Sequence, residues 1–345
     1  MASDALLTQM EGAETAGPTR SDASRIKARS VAWSLVLFLL ALACTVALGA
    51  WSGLTFGDAV QTLVSAPLWL VAAITGLTAL QIALGAWKWR RVLGKTGGTR
   101  QGVSFSFYYG CTALAAFLSQ FLTVYVASVF VRGWAVKRWH GLAASHGAGT
   151  SLFEQVFDVI ALVVMAMPAL IVWSLGGDLW QWGLATLAAI SVGAFCLRFS
   201  GSALRTLSTI EPFLPKLRAL TDLCRRGESS GLLSSPFLLE MYVVSMLRYF
   251  AMLARIPLLV AAFGLPLALS DAVPGFTIVQ ATQLAAITPG QLGIREWTWS
   301  GVLAFRGYDL PLAARFAIDL RVIGMLAMAL ASLPVIGLLR QKHRA

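Results

Sequence analysis

The sequence predicts an all-α polytopic membrane protein with six full transmembrane helices and two re-entrant helical hairpins in an inverted-topology repeat. Hydrophobic residues make up 57% of the 345 residues and charged residues only 12%, whereas soluble domains carry about a quarter charged residues. Most apolar segments are near the roughly 20 residues that a spanning helix needs. The distribution of basic residues between these segments indicates which of them cross the bilayer and which return.

The chain is expected to form one membrane domain, 31–339, with halves 31–175 and 180–339. Residues 1–30 are polar and turn basic just before the first apolar run, which predicts a disordered cytoplasmic tail and a retained first span. Residues 340–345 are expected to be a second cytoplasmic tail. The apolar segments are 31–51, 68–87, 103–131, 152–175, 180–197, 236–263, 273–305 and 313–339.

Lysine and arginine are concentrated at both ends of the domain and in three connectors, 88–100, 132–138 and 198–226. These places hold 21 of the 27 basic residues. Such clusters stay in the cytoplasm under the positive-inside rule, so both termini are expected on the cytoplasmic side of a bacterial-type inner membrane. The connectors that are assigned to the outside are 52–67, 176–179, 264–272 and 306–312.

Two long segments have both flanks on one side of the membrane. Segment 103–131 has two basic, cytoplasmic flanks, and segment 273–305 has two external flanks, so each is predicted to enter and return as a hairpin. Each half then contains two spans, a hairpin and a span, in opposite orientations. This is the plan of an inverted-topology repeat, in which broken helices meet near the midplane. The alternatives are one tilted helix, or two tight spans, in each segment.

The second hairpin contains the residues that are hardest to explain in an ordinary span. Proline removes a backbone donor and glycine loosens the chain, so a continuous helix is not expected there. A helix that starts at the tip would direct free amides and its positive dipole end toward Arg295, which together make an anion site. Glu296 is expected to hold Arg295, to carry a proton or to satisfy the helix start. The tip residues are Pro289, Gly290 and Gly293.

Arg248 lies near the middle of segment 236–263, where an arginine costs at least about 2.5–3.5 kcal/mol on insertion scales. It is expected either to bind an anionic lipid phosphate or to pair with Glu296, Asp158 or a hairpin carbonyl. Arg255 follows seven residues later on the same face, and a structural role is favoured for it.

Glu154 and Asp158 are four residues apart and share one face beneath the first hairpin. Glu154 also suits the start of a helix, whereas Asp158 lies deeper and is expected to pair with Arg132 or Arg295.

In the last segment, Arg315 and Asp319 have the spacing of an ion pair, which would leave Arg321 free for a phosphate. The predicted substrate-binding residues, around a closed-bottom cavity near mid-membrane, are Arg295, Glu296, Arg248, Arg321, Asp158, Glu154 and Arg132.

The sequence does not favour metal binding, cofactor binding or nucleic-acid binding. Four scattered cysteines and three histidines form no metal or haem motif, so neither a metal nor another cofactor is expected. The net charge of +11 is attributed to orientation and lipid attraction, because motifs for nucleic-acid binding and for nucleotide phosphates are absent. Segment 198–235 is expected to be an amphipathic surface helix that is interrupted at Pro212 and Pro215.

Three stretches resemble motifs of a known family. The family's first motif, which ends in Val-Arg-Ala-Trp, is similar to residues 119–123 together with 131–134. A second element of the family, Glu-Arg-x-x-Asp, resembles residues 154–158. Residues 289–296 resemble the most specific motif, Gly-Gly-x-Gly-Val-Arg-Glu. On these motifs, the chain resembles the lysylphosphatidylglycerol synthase transmembrane-region family, also called flippase-like integral membrane proteins, over about 100–339.

The resemblance is stronger in the second hairpin than in the first. Arg321 matches an arginine of the family's last span, and the first motif retains Arg132. The first hairpin has otherwise lost most of the motif's polar and flexible residues. The departures are Thr123 for proline, Ala127 and Ser128 for glycines, Val129 for an acidic residue and Gln155 for arginine.

The resemblance implies a membrane domain that handles lipids, best known when fused to a cytosolic aminoacyl transferase. We expect a stand-alone domain without that transferase. The leading hypothesis is a lipid translocator, not an enzyme, that moves an anionic phospholipid or polyprenyl-phosphate-linked lipid between leaflets. The alternatives are an accessory partner of an envelope glycosyltransferase or lipid-modifying enzyme, and an intramembrane headgroup transferase. The sequence predicts neither the lipid, the energy coupling nor the oligomeric state.

Overall fold

The computed structural model describes residues 39, 43–53, 55–97, 103–210, 231–282 and 289–341. Within these ranges the chain is helical and has no β-strand. Residues 43–51 are helical, and they precede the helices that are numbered here. These are α1 (Phe56–Ser65), α2 (Leu68–Lys95), α3 (Phe105–Leu118), α4 (Val124–Ala135), α5 (Ala144–Ser174), α6 (Leu179–Ile210), α7 (Ser235–Leu253), α8 (Arg255–Phe263), α9 (Leu269–Thr282), α10 (Ile294–Phe305) and α11 (Leu310–Gln341).

Four helical stretches in the described ranges are long and apolar enough to cross a bilayer. They are Leu68–Lys95, Ala144–Ser174, Leu179–Phe199 and Ser235–Phe263. Helix α11 is 32 residues long, and three charged side chains interrupt the apolar character of its first half. The all-α membrane architecture is therefore confirmed.

Several sequence-based expectations fall wholly or partly outside the described residues. These are the tail at 1–30, most of the first predicted span, and residues 342–345 of the second tail. The same holds for the predicted interruption of the surface helix at Pro212 and Pro215, because the description of α6 ends at Ile210.

Both predicted hairpin segments are broken helices. Helix α3 ends at Leu118 and α4 begins at Val124, whereas α9 ends at Thr282 and α10 begins at Ile294. A single tilted helix is thus excluded for either segment. The four arms contain 12 to 14 residues, so each rises only about 18–21 Å, less than the roughly 30 Å hydrocarbon core.

Helices from one half of the chain pack against the hairpin of the other half. Helix α11 lies along α3, the first arm of the first hairpin, and α5 lies along α9, the first arm of the second hairpin. Helices α2 and α7, the second spans of the two halves, also contact each other. Each hairpin is therefore held between a helix of its own half and a helix of the opposite half.

The largest hydrophobic core joins the second hairpin to the surrounding long helices. Trp299 of α10 is fully buried and meets Phe316 of α11 edge to face, with ring centroids 4.9 Å apart. Phe276 of α9 makes a similar contact with Tyr249 of α7 at 5.7 Å. Such aromatic pairs stabilise by about 0.5–1.5 kcal/mol beyond the area that they bury. The second hairpin thus has a rigid apolar support.

Connector 52–67, which was predicted only as an external loop, contains helix α1. Thr55 caps this helix, because its hydroxyl oxygen accepts from the amide of Asp58 while its own amide donates to the Asp58 carboxylate. Thr62 donates to the buried carboxylate of Asp319 at 2.6 Å. The expected Arg315–Asp319 pair is only a loose contact at 3.7 Å, so Asp319 mainly attaches α1 to α11.

Replacing Gly147 by alanine is expected to lower the thermal unfolding midpoint of the detergent-solubilised protein. The added Cβ would lie 2.6 Å from the carbonyl oxygen of Arg132, where α5 crosses α4. Overpacking of this kind costs about 1–3 kcal/mol. Gly149→Ala is the matched control, since nothing lies within 4 Å of its Cβ and alanine favours the helix. Equal midpoints for the two variants would contradict the close crossing.

Candidate functional site

A cavity of about 310 Å³ lies at the centre of the protein, bordered by helices α2–α5 and α7–α11. Gln81 and Arg248, which line it, are near the midpoints of the stretches Leu68–Lys95 and Ser235–Phe263. Six of the seven predicted substrate-binding residues line the cavity, and Glu296 does not. The charged lining residues are Arg132, Glu154, Asp158, Arg248, Arg255, Arg295 and Arg321.

Asp158 connects two cations from different helices. One carboxylate oxygen accepts from Lys88 of α2 at 2.7 Å, and the other accepts from Arg248 of α7. The expected pairing of Asp158 with Arg132 or Arg295 is therefore wrong, and one of the alternatives for Arg248 is confirmed. Two cations on one carboxylate leave positive charge in excess at the cavity wall.

Lys88 is the residue of this network that sequence reasoning missed. It was counted among the cytoplasmic basic residues, yet α2 continues to Lys95 and the Lys88 side chain is fully buried. Its ammonium group also donates to the Ser245 hydroxyl at 2.7 Å and to the Glu154 carbonyl at 3.2 Å. The sequence did contain a signal for it, because Lys88 follows Gln81 by seven residues. This spacing places the two side chains on the same face of a helix.

Glu154 and Arg132 form a buried ion pair between α5 and α4. Both side chains are almost inaccessible, at 1% and 4% exposure. The Ser151 hydroxyl lies 3.4 Å from the same guanidinium and 2.9 Å from the Ser128 hydroxyl. The expected place of Glu154 at a helix start is wrong, because α5 begins ten residues earlier, at Ala144. Glu154 instead holds the second arm of the first hairpin against α5.

Glu296 performs a similar task for the second hairpin. One of its carboxylate oxygens accepts from the amide of Gly293 at 2.8 Å, and the other accepts from Arg321 at 2.7 Å. The expected role at the helix start is confirmed. The expectations that Glu296 holds Arg295 and that Arg321 is free are wrong. Because the chain's own carboxylate takes the Gly293 amide, that amide is not available to an external anion.

The tips of the two hairpins touch. The amide of Gly290 donates to the carbonyl of Leu122 at 3.1 Å, and the Gly290 carbonyl accepts from Arg321 at 2.9 Å. Gly290 and Gly293 have φ angles of +61° and +78°, and Pro289 begins the short 3₁₀ turn between the arms. A Cβ on Gly290 would overlap the carbonyl oxygen of Gln120, so only glycine fits at this contact.

Two guanidinium groups at the cavity have no acidic partner among the described residues. Arg255 donates to the Gln81 side chain, and its Nε is buried without a hydrogen bond. The guanidinium of Arg295 has neither a hydrogen bond nor an ion pair with any described residue, and its Nε is buried. Residues 283–288, which precede Pro289 in the sequence, include no acidic residue.

The charged residues around the cavity do not balance. The six cationic side chains, in or directly behind the wall, are Lys88, Arg132, Arg248, Arg255, Arg295 and Arg321, and their carboxylate partners in the described chain are Glu154, Asp158 and Glu296. Three positive charges are in excess. Burying unpaired charge is costly, so this arrangement favours an anion in the cavity.

Gly290→Ala is expected to separate the hairpin tips, because the methyl group cannot be accommodated beside the Gln120 carbonyl. Hydrogen exchange of peptides that cover 119–123 should become faster than in the wild type. Gly264→Ala is the control, since it has a φ of +55° but an open surrounding. Both variants share the backbone cost of about 1–2 kcal/mol for a non-glycine residue at positive φ, so equal exchange in 119–123 would refute the tip contact.

Lys88→Met is expected to destabilise the protein by about 3–5 kcal/mol, because it removes a buried cation from two carboxylates. Lys95→Met on the exposed end of α2 should have a much smaller effect. A double-mutant cycle with Asp158→Asn should show coupling, which thermal unfolding in detergent measures. Additive effects would mean that Lys88 does not act through Asp158.

Comparison with known proteins agrees with this geometry. No curated protein matches the chain significantly. The family model for the lysylphosphatidylglycerol synthase TM region matches residues 31–332, which include both hairpins and every charged residue of the cavity. That match covers most of the sequence and confirms the resemblance seen in the motifs. The chain therefore belongs to the lysylphosphatidylglycerol synthase TM region family.

Proposed function

We propose that this protein is a lipid translocator of the bacterial-type inner membrane, and that an anionic lipid headgroup passes through the central cavity. The observation that carries the proposal is the excess of cationic side chains there, above all Arg295 and Arg255, which have no acidic partner among the described residues. Arginine suits this task, because its planar, permanently charged group binds phosphate with directed hydrogen bonds. Membership of a family that is connected with lipid metabolism supports the same class of substrate.

The proposed architecture is six spans and two re-entrant hairpins that enter from opposite faces, with both termini in the cytoplasm. Three features support it. The hairpin arms are too short to span, the tips meet beside the cavity, and the last helix of each half packs on the hairpin of the other half. Each second arm is also ion-paired to the next helix, through Arg132–Glu154 and Glu296–Arg321. Such correspondence is expected of an inverted repeat.

The size of the cavity indicates how a lipid would use it. A volume of about 310 Å³ is at the lower end of small-molecule sites, so it accommodates a headgroup rather than acyl chains. Exposed apolar side chains such as Phe130, Val163 and Met167 lie on the outer faces of the neighbouring helices, where the acyl chains would remain in the bilayer. A headgroup would then cross through protein while its chains stay in lipid.

Translocation fits the side chains better than headgroup transfer does. A transferase needs a carboxylate or another base that is free to take a proton. Glu154, Asp158 and Glu296 are each bound to at least one lysine or arginine, which holds them in place. A phosphate could instead bind to the guanidinium groups of Arg255 and Arg295 without breaking an existing ion pair in the described chain.

A lipid-scrambling assay tests the proposal. Proteoliposomes that contain the wild type should equilibrate a fluorescent phosphatidate between leaflets faster than protein-free vesicles do. Arg295→Gln should slow this equilibration about tenfold or more, because a charged hydrogen bond contributes about 1.5–3 kcal/mol. Arg91→Gln is the control, since Arg91 pairs with Glu240 on the surface.

Equal rates for the wild type and Arg295→Gln would reject the cavity as the pathway. Equal rates for the wild type and empty vesicles would instead favour the accessory role, in which the protein recruits an envelope enzyme. Co-purification of such an enzyme with the Arg295→Gln variant would strengthen that conclusion.

A further inference from the structure

We propose that the cavity selects a lipid whose headgroup carries a doubly charged phosphate, either a terminal phosphomonoester or a diphosphate. This inference rests on the proposed function, since it specifies the headgroup that the same cavity accepts. The alternatives that it rejects are phosphodiester lipids with one negative charge, and lipids whose headgroup contains an amine.

The number of unbalanced charges leads to this choice. Arg255 and Arg295 lack acidic partners among the described residues, and Lys88, Arg132 and Arg248 share two carboxylates. A phosphodiester would neutralise one of the three excess positive charges, whereas a phosphomonoester carries about −1.5 to −2 near neutral pH. A doubly charged group therefore removes more of the buried imbalance.

The positions of the free guanidinium groups support the same choice. Arg255 lies within electrostatic range of both Arg295 and Arg248, so like charges from three helices converge on one region. Their mutual repulsion disfavours the empty cavity, and an anion between them relieves it. A terminal phosphate offers three oxygens to such a group of donors, whereas a diester has only two non-bridging oxygens.

Headgroups with an amine fit poorly, because the excess cationic side chains at the wall repel an ammonium group, which binds best to an anionic partner. Arg132 and Lys88 take the Glu154 carboxylate, and Lys88 and Arg248 take that of Asp158. Glu296 is fully buried behind the wall and is bound to Arg321. Within the described chain, no carboxylate at the cavity is left for an ammonium group.

The test compares two ligands that differ by one methyl group and one charge. Dihexanoyl phosphatidate ends in a phosphomonoester, and dihexanoyl phosphatidylmethanol is the matching phosphodiester. Titration calorimetry of the full-length protein in a non-ionic detergent should show about tenfold or tighter binding of phosphatidate. Dihexanoyl phosphatidylethanolamine should bind more weakly than either, and inorganic phosphate more weakly than phosphatidate.

Two arginine variants test whether the preference for phosphatidate arises in the cavity. Arg255→Gln and Arg295→Gln should each reduce the preference for phosphatidate over phosphatidylmethanol to about threefold or less, by removing one unpaired positive charge. Arg91→Gln should keep the full preference, since its surface ion pair is remote from the cavity. Circular dichroism and unfolding midpoints identify any variant that fails to fold, and the ligand comparison in the wild type does not depend on the variants.

The outcomes distinguish a failure of the dianion preference from a failure of the proposed function. Equal affinity for the two lipids, reduced in both cases by Arg295→Gln, would overturn the dianion preference and leave the headgroup cavity in place. Affinities that neither arginine variant changes would overturn both proposals. Inorganic phosphate that binds as tightly as phosphatidate would identify a site for free phosphate and overturn the selection of a lipid.

Discussion

The cost of placing charge in a region of low dielectric constant determines how the centre of this protein is built. An isolated buried ion is expensive, and a buried ion pair is stabilising only when its geometry is good and the remaining donors and acceptors are satisfied. Lys88 meets that condition, because its ammonium group contacts Asp158, Glu154 and the Ser245 hydroxyl. This network connects α2, α5 and α7 at mid-height, so the long helices cannot shift independently while it is intact.

The second hairpin depends on a different ion pair, between Glu296 and Arg321. A broken helix leaves amides and carbonyls without intrahelical partners, which hydrocarbon cannot satisfy. Here protein groups satisfy two of them, because Glu296 accepts from the Gly293 amide and Arg321 donates to the Gly290 carbonyl. One carboxylate and one guanidinium thus stabilise both the backbone break and the attachment to α11. Buried guanidinium nitrogens without a hydrogen bond remain at the cavity, on Arg132, Arg248, Arg255 and Arg295.

Local signals predicted the break in the second hairpin and most of the cavity, whereas the first hairpin was predicted from the basic residues on both of its flanks. Pro289 and the neighbouring glycines marked one break, and ionisable residues inside apolar segments marked the wall. The pairing of these residues was harder to predict, because partners such as Asp158 and Arg248 are 90 positions apart and depend on helix rotation. Lys88 was missed because a lysine near the end of an apolar run looks like a loop charge until the helix is known to continue.

The contact between the hairpin tips is made by main-chain atoms of Leu122 and Gly290. A hydrogen bond of this kind places little demand on the side chains of the first hairpin, so that hairpin can diverge while the junction persists. Thr123 and Val129, which depart from the family pattern, are examples of such divergence. Selection on the junction should therefore be one-sided, strict for Gly290 and permissive for the loop that it meets.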